Sequence, residues 1–423
     1  MNITVISQKA SRIRIICSVF VYRFLLDIIY VRFIAPRYGY TGFSYQFSLK
    51  CFIVSVMITL LFAIYIAETA DCCNYCDITI NFLIYVYLIP QGTLCSYCHN
   101  DLSFYSYVIF FFILLIFINK SISIPPIRHG TNYDNHCFDI IVIVLGLLMI
   151  AMSGFYTDFR ISFDLGEYHD YRIEAREYSI PSFLTYSFHW AKNILPIGTL
   201  YALSKKRRVL MVFTTICQVL CFSFNGKKSV LFTMILVFLL FFAYNDSFYQ
   251  YISLAFPGLT TLAIIEIIIR RRESFITTKF IRRMMLVPSL LGWQYFDFFS
   301  NNEKLYLRSS ILRFFGFESP YSDGVGRMIG MVYSGSDGSL NANTGLCGDY
   351  FSNFGYYSLF IYPVLIILLL KIISNCMNGI DNRIVLLVSF MTTYMLISGS
   401  FFKCLLTGGL LLIGPFIDRK SVV

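Results

Sequence analysis

Blocks of close to twenty apolar residues recur along this chain, separated by short polar or glycine-bearing breaks. A helix rising 1.5 Å per residue needs about twenty residues to cross some 30 Å of hydrocarbon. The runs are continuous rather than alternating, so they predict helices and not the strands of a barrel. About twelve spans are predicted on this length criterion, centred on 15–35, 49–68, 78–97, 103–119, 138–156, 182–203, 209–224, 230–246, 250–269, 355–374, 384–401 and 404–417. The expected fold class is all-α, a polytopic integral membrane protein forming a single membrane domain over 1–423 without internal repeats. The first span holds Arg23, Asp27 and Arg32. Arg23 and Asp27 are four apart, so they share a helix face and can pair inside an apolar setting.

The polar breaks predict orientation. "SKKRR" (Ser204 to Arg208) places four cations in one tight turn and reads as a cytoplasmic anchor. Counting spans outward from it puts both termini, the Lys120–His136 loop and Arg383 on the cytoplasmic side. It leaves three segments outside: a first loop at 157–180, the short turn at 225–228 and a long loop at 270–353. The long loop is rich in Arg and Lys, including "RRRESFITTKFIRRMMLVP" from Arg270 to Pro288. The positive-inside rule weakens for loops beyond about 60 residues, so this charge does not overturn the placement. The aromatic content of the loop predicts an ordered lobe. At the N-terminus, Lys9, Arg12 and Arg14 precede an apolar run with no small-residue cleavage site, which predicts a retained helix.

Composition agrees with this picture. The chain has 423 residues, 57% hydrophobic and only 14% charged, with a net charge of +10. That charge suits helix orientation at an anionic membrane surface, or an anionic substrate. Nucleic acid is excluded as a partner because no soluble basic domain exists to present the charge. Thirteen cysteines include two CxxC pairs, Cys73/Cys76 and Cys95/Cys98, at zinc-ribbon spacing. The apolar segment between them predicts a spanning helix, which would hold the pairs about 27 Å apart, too far for one tetrahedral ion. No metal site is expected, and of the five histidines only His169 is read as lying in an outer loop.

Four outer segments carry candidate chemistry. "TDFRISFDLGEYHDYRIEAREYSIP" mixes Arg160, Arg172 and Arg176 with Asp164, Glu167, Asp170 and Glu174. It reads either as a self-neutralised solvated loop or as arginines gripping an anion beside a carboxylate, since guanidinium forks suit phosphate. "FNGKKSVLF" sets Lys227 and Lys228 at a helix start, where an anion would relieve their conflict with the helix dipole. The alternative there is lysines snorkelling to the interface. The stretch around Arg282 and Arg283 fits an interfacial amphipathic helix, but Trp293, Tyr295, Asp297 and Ser300 go beyond that need. Flat aromatics beside a carboxylate suit a sugar ring. "SLNANTGLCGDYFSNFGYYSLF" offers Asn341, Asn343, Thr344, Asp349 and Asn353 among turn-forming glycines, or is simply a helix-start signal.

Taken in order, "FSYQF", "ARE…SIPSF" leading to "NILPI", "GKKSVLF", "RRMMLVP…YFDFFS" and "NANTGLCGDYFSNFGYY" resemble the O-antigen polymerase (Wzy-type) family of oligosaccharide repeat-unit polymerases. The resemblance implies a glycosyltransferase of GT-C-like architecture in the bacterial inner membrane, with N- and C-termini cytoplasmic and a large periplasmic loop lobe. It implies polymerisation of undecaprenyl-diphosphate-linked oligosaccharides into O-antigen or capsular polysaccharide at the periplasmic face. Partners would be that lipid-linked glycan, membrane lipids and a chain-length regulator protein, with no cofactor and no metal. The site residues it implies are Arg172, Arg176, Arg283, Asp297, Asp349 and Glu167 for catalysis. Arg160, Lys227, Lys228 and Arg282 would hold the diphosphate, and Trp293, Tyr295, Asn341 and Asn343 the glycan. An O-antigen ligase uses the same donor, and a translocase of lipid-linked repeats handles the same anion. Both are the alternative readings.

Overall fold

A computed structural model describes residues 2–70, 74–125, 137–161, 174, 178–226, 228–244, 248–270, 274–335, 338 and 340–416. Every regular element among them is helical. Among the described residues six helices are long and apolar enough to cross a membrane: Leu49–Thr69, Tyr75–Tyr97, Leu102–Ser121, Phe138–Thr157, Tyr251–Arg270 and Leu346–Cys376. Other predicted spans coincide with helices that are more polar or shorter, such as Ser182–Ser204, Arg208–Asn225, Lys228–Ala243 and Asn382–Ser398. The predicted last span is not one helix. It is split into Phe401–Leu405 and Leu410–Phe416, with Gly409 at φ 75° between them, a conformation that ends a right-handed helix.

The chain divides into two compact units. The first comprises 1–123, 246–368 and 393–402, and the second 124–245, 369–392 and 403–423.

In the first unit the Tyr75–Tyr97 helix is the centre, with 94% of its apolar window buried, against 39% for Leu49–Thr69. The latter leaves Leu49, Ile53, Met57, Leu60, Leu61 and Ile64 exposed, an apolar stripe at helical spacing that suits lipid. Buried Arg23 pairs with Asp27 at 2.8 Å, as the spacing predicts. Its Nη2 donates to both Ser55 and Ser96 at 3.1 Å each, its Nη1 is buried without a hydrogen-bond partner, and Thr93 hydrogen-bonds Asp27 at 2.7 Å. Charge inside the bundle is thus met by partners on two neighbouring helices.

Three widened, π-type turns occur in this unit, at Tyr30–Ile34, Ile84–Leu88 and Thr277–Leu286. Each ends two residues before a proline: Pro36, Pro90 and Pro288. Proline has no N–H and its ring collides with the carbonyl four residues earlier. Widening the preceding turn relieves that collision without breaking the helix. The third of these turns carries Arg282 and Arg283.

The predicted loop at 270–353 is largely helical, through Thr277–Leu286, Val287–Asn301, Val325–Ser334 and Leu346–Phe354. Glycines let two of these helices meet closely. A Cβ on Gly348 would sit 3.0 Å from the Gly292 Cα, and one on Gly345 would lie 2.0 Å from the Leu396 carbonyl oxygen.

In the second unit, Phe138–Thr157, Ser182–Ser204 and Arg208–Asn225 pack together through Gly146 against Phe213 and Gly198 against Val142. Arg207, from the turn read as a cytoplasmic anchor, pairs with Asp139, and Asp381 pairs with Arg383 at 2.7 Å.

Candidate functional site

Side-chain contacts in the first unit sort the helix ends into two sets. At one end, Ser18 reaches the Ser253 carbonyl at 3.2 Å, and Asn119 reaches Asp77 at 2.8 Å. At the other end, the segment from Pro36 to Ser48 meets the ends of several helices. Gln46 and Ser48 donate backbone hydrogen bonds to the carbonyls of Tyr97 and Ser96 at 2.8 and 3.0 Å. Tyr38 meets Thr278 at 3.3 Å. A Cβ on Gly42 would lie 3.1 Å from Gln294. Thr278 and Gln294 belong to the 270–353 segment that the sequence places outside.

On one flank of the Pro36–Ser48 segment lies a cationic group. The Arg282 guanidinium stacks over the Tyr38 ring at 4.1 Å, and Arg37 stacks over Phe33 at 4.1 Å. Arg283 is exposed beside them. Burial pulls the Arg282 pKa down from its ordinary value and Arg283 adds to that, while Tyr38 opposes it. The Arg282 Nε is buried without a partner. A half-buried guanidinium flanked by like charge is a site where an anion would be favoured.

On the other flank lies an aromatic and carboxylate cluster. The Trp293 indole stacks on the His99 ring, with centroids 5.0 Å apart and planes at 3°. Its N–H donates to the Asp101 carboxylate at 3.2 Å. Asp101 also caps the Leu102–Ser121 helix, accepting from the Ser103 and Phe104 amides at 2.8 and 3.1 Å. Tyr333 packs edge-on to Trp293 at 6.1 Å, and its hydroxyl donates to Asp297. Burial and the Asp297 charge both raise the Tyr333 pKa, so the phenol keeps its proton and remains a donor. Asp297 itself is exposed, while Trp293 and Tyr333 are half-buried.

The remaining first-unit candidates divide by role. Tyr295 is buried, and its hydroxyl donates to the Ala342 carbonyl at 2.9 Å. It therefore anchors the 340–344 segment instead of facing ligand. Asn341 and Asn343 are exposed, with their side-chain oxygens turned toward Gly326, where a Cβ would lie 2.2 and 2.8 Å from them. Asp349 sits at the start of the Leu346–Phe354 helix and accepts a backbone hydrogen bond from Phe401. It lies within the apolar Leu346–Cys376 run, away from the exposed Asp297 surface in accessibility.

In the second unit, Arg160 pairs with Glu174 at 2.8 Å, and Tyr178 donates to the same carboxylate at 2.5 Å. Those two hydrogen bonds, Tyr178 first, hold the Glu174 pKa below its ordinary value. Tyr178 also packs against Tyr156 and Phe224 at 5.6 and 5.9 Å. Lys228 begins the Lys228–Ala243 helix and is half-buried. Glu167, Arg172, Arg176 and Lys227 lie outside the described residues.

Two residues of the Trp293 cluster, His99 and Asp101, escaped the sequence reading. His99 occupies an inter-helix segment, between helices ending at Tyr97 and starting at Leu102. The predicted span limits already left His99 outside a span. Asp101 directly precedes the apolar Leu102–Ser121 helix, and an acid before such a run is the signal that could have found it as a cap. Among the described residues no cluster of metal-binding side chains occurs, and Cys76 and Cys95 stand at opposite ends of one helical span. Compared with known proteins, the chain matches no family model, no curated protein and no solved structure.

Proposed function

We propose that this chain is a membrane glycosyltransferase that polymerises oligosaccharide repeats carried on a polyprenyl diphosphate. One observation carries the reading. Tyr38 of the Pro36–Ser48 segment lies under the Arg282 guanidinium, and Gly42 of the same segment lies close to Leu290 and Gln294 on the helix that carries Trp293 and Asp297. A lipid-linked glycan has two parts to match, an anionic diphosphate near the headgroups and neutral sugar rings beyond it.

The reaction asks little of the protein beyond placement and charge. An acceptor hydroxyl attacks the anomeric carbon bonded to the diphosphate. The carbon–oxygen bond to the diphosphate breaks, and the lipid diphosphate departs with the bonding electrons. Arginines fixed beside it meet the growing negative charge. A carboxylate takes the hydroxyl proton. Of Asp297, Asp349 and Glu167, the exposed Asp297 is the best supported base, because it adjoins the aromatic cluster and is reachable by a bulky acceptor. The Tyr333 hydrogen bond orients its carboxylate.

The test is the surface glycan of the source cell. Deleting the chain should leave single repeats on the surface, restored to long polymer by the wild-type chain. Loss of all repeats would point to a translocase. Long polymer accumulating on its carrier would point to a ligase.

A further inference from the structure

The way Trp293 is held goes beyond what packing needs. His99 covers one face of the indole, Asp101 fixes its N–H, and Tyr333 stands against its edge. With one face taken, the opposite face and the rim of this half-buried residue are the parts left for a ligand. His99 is itself locked at both nitrogens. The Asp101 backbone amide donates to its Nδ1 at 3.2 Å, and its Nε2 meets the side-chain amide of buried Gln91 at 3.0 Å. An accepting Nδ1 requires the proton on Nε2, which then donates to the Gln91 amide oxygen once that amide is turned. That orientation also satisfies the Gln91 oxygen, otherwise buried without a partner. Gln91 stands on the most buried helix of the unit, so the platform is referenced to its rigid centre.

We infer that the open face of Trp293 is the platform for one sugar ring, with His99 as the residue that sets its plane. The proposal rests on the reading above and names how that site takes its substrate. The apolar face of a pyranose, with its slightly positive C–H bonds, suits the negative face of an indole. Ring hydroxyls at the rim donate to the Asp297 carboxylate, a charge-assisted bond stronger than a neutral one. His99 touches no substrate. It acts through Trp293, by stopping the indole from rotating out of plane, so ordering entropy is lost before the glycan arrives.

The chain has only two tryptophans, Trp190 and Trp293. Trp190 belongs to the second unit, where its N–H reaches the Leu406 carbonyl. Full-length Trp190→Phe protein therefore reports on Trp293 alone. The probe is the oligosaccharide released by mild acid from the carrier lipid of the source cell. Saturable change in Trp293 emission is expected. His99→Ala should weaken binding about tenfold, equivalent to about 1.4 kcal/mol, and raise the mobility of the indole in fluorescence anisotropy. His99→Phe keeps the stacked face and should recover most of the affinity, which separates positioning from misfolding. Polymer made normally in cells, with Trp293 emission unmoved by the oligosaccharide, would overturn the platform and leave the proposed reaction standing. Binding left intact by His99→Ala would overturn the role of His99 alone. A source cell that makes no lipid-linked oligosaccharide would overturn the reaction itself.

Discussion

Two charged, aromatic segments that look alike in sequence are built differently. The cluster around Trp293 joins residues far apart in the chain: Trp293 to Asp101, Tyr295 to Ala342 and Tyr38 to Thr278. Its carboxylates Asp101 and Asp297 are held by an indole N–H and a phenol, leaving the nearby arginines unneutralised by them. The cluster around Arg160 is local in its described polar contacts, which join Arg160 to Glu174 and Tyr178 in one loop, with Tyr178 also packed on Phe224. Its cation already faces a carboxylate, and the pair is part exposed. A preorganised site keeps its charges free for substrate, whereas a surface pair largely cancels them. Function is therefore expected to be far more sensitive at the first cluster than at the described part of the second.

The sharpest way to break this contrast is Asp297→Asn. If Asp297 is the base, transfer should fall by about 10² to 10⁴ while the protein remains in the membrane, as read by polymer formation and immunoblot. Next is Arg283→Ala, expected to slow transfer about 10²-fold by removing leaving-group stabilisation, with partial rescue by Arg283→Lys. Gly345→Ala acts on the scaffold alone. Its Cβ would press on two backbone oxygens, of Leu396 and Gly399, at 2.0 and 2.5 Å. Overpacking of that kind costs about 1–3 kcal/mol, seen as a lower thermal midpoint in detergent.

A smaller effect is set by His99. Burial pushes its pKa down to about 3, although some of its surface remains accessible. The unfolded chain takes up a proton near the ordinary histidine pKa and the folded chain does not. Stability is therefore full above about pH 6.5 and declines as pH falls toward the folded value. The limiting slope is about 1.4 kcal/mol per pH unit, and His99→Phe should remove that component from a pH series of unfolding midpoints. The smallest effect is Arg160→Ala. An exposed pair contributes about 0–1 kcal/mol, and polymer length should change little. A loss as deep as that of Arg283→Ala would erase the contrast between the two clusters.

Much of the helical layout was legible because apolar run length is read directly against bilayer thickness. Arg23 and Asp27 were legible as a pair because both partners lie on one helix turn. The long loop at 270–353 was harder. Its helices owe their form to contacts with distant segments, as when Gly348 meets Gly292, and no local period announces such a crossing. Proline accompanies the widened turns at Pro36, Pro90 and Pro288, but Pro196, Pro257 and Pro363 sit inside helices without one, so proline's local clash did not by itself locate them. The site was legible in residue type and not in partnership. Trp293 and Asp297 stood out as an aromatic beside an acid, but His99, 194 positions earlier than Trp293, gave no sign of the stack it forms. Tyr295 looked equivalent to Trp293 in sequence. One residue is an anchor and the other half-exposed because Tyr295 turns inward to the Ala342 carbonyl.

The most direct measurement is reconstitution of the purified chain with lipid-linked oligosaccharide repeats and no other protein. Glycosyl transfer at the Trp293–Asp297 end predicts products of two or more repeats on one carrier, with one free polyprenyl diphosphate released for each glycosidic bond formed. Intact starting glycolipid, from protein whose helical fold is verified in the same vesicles, would contradict the account.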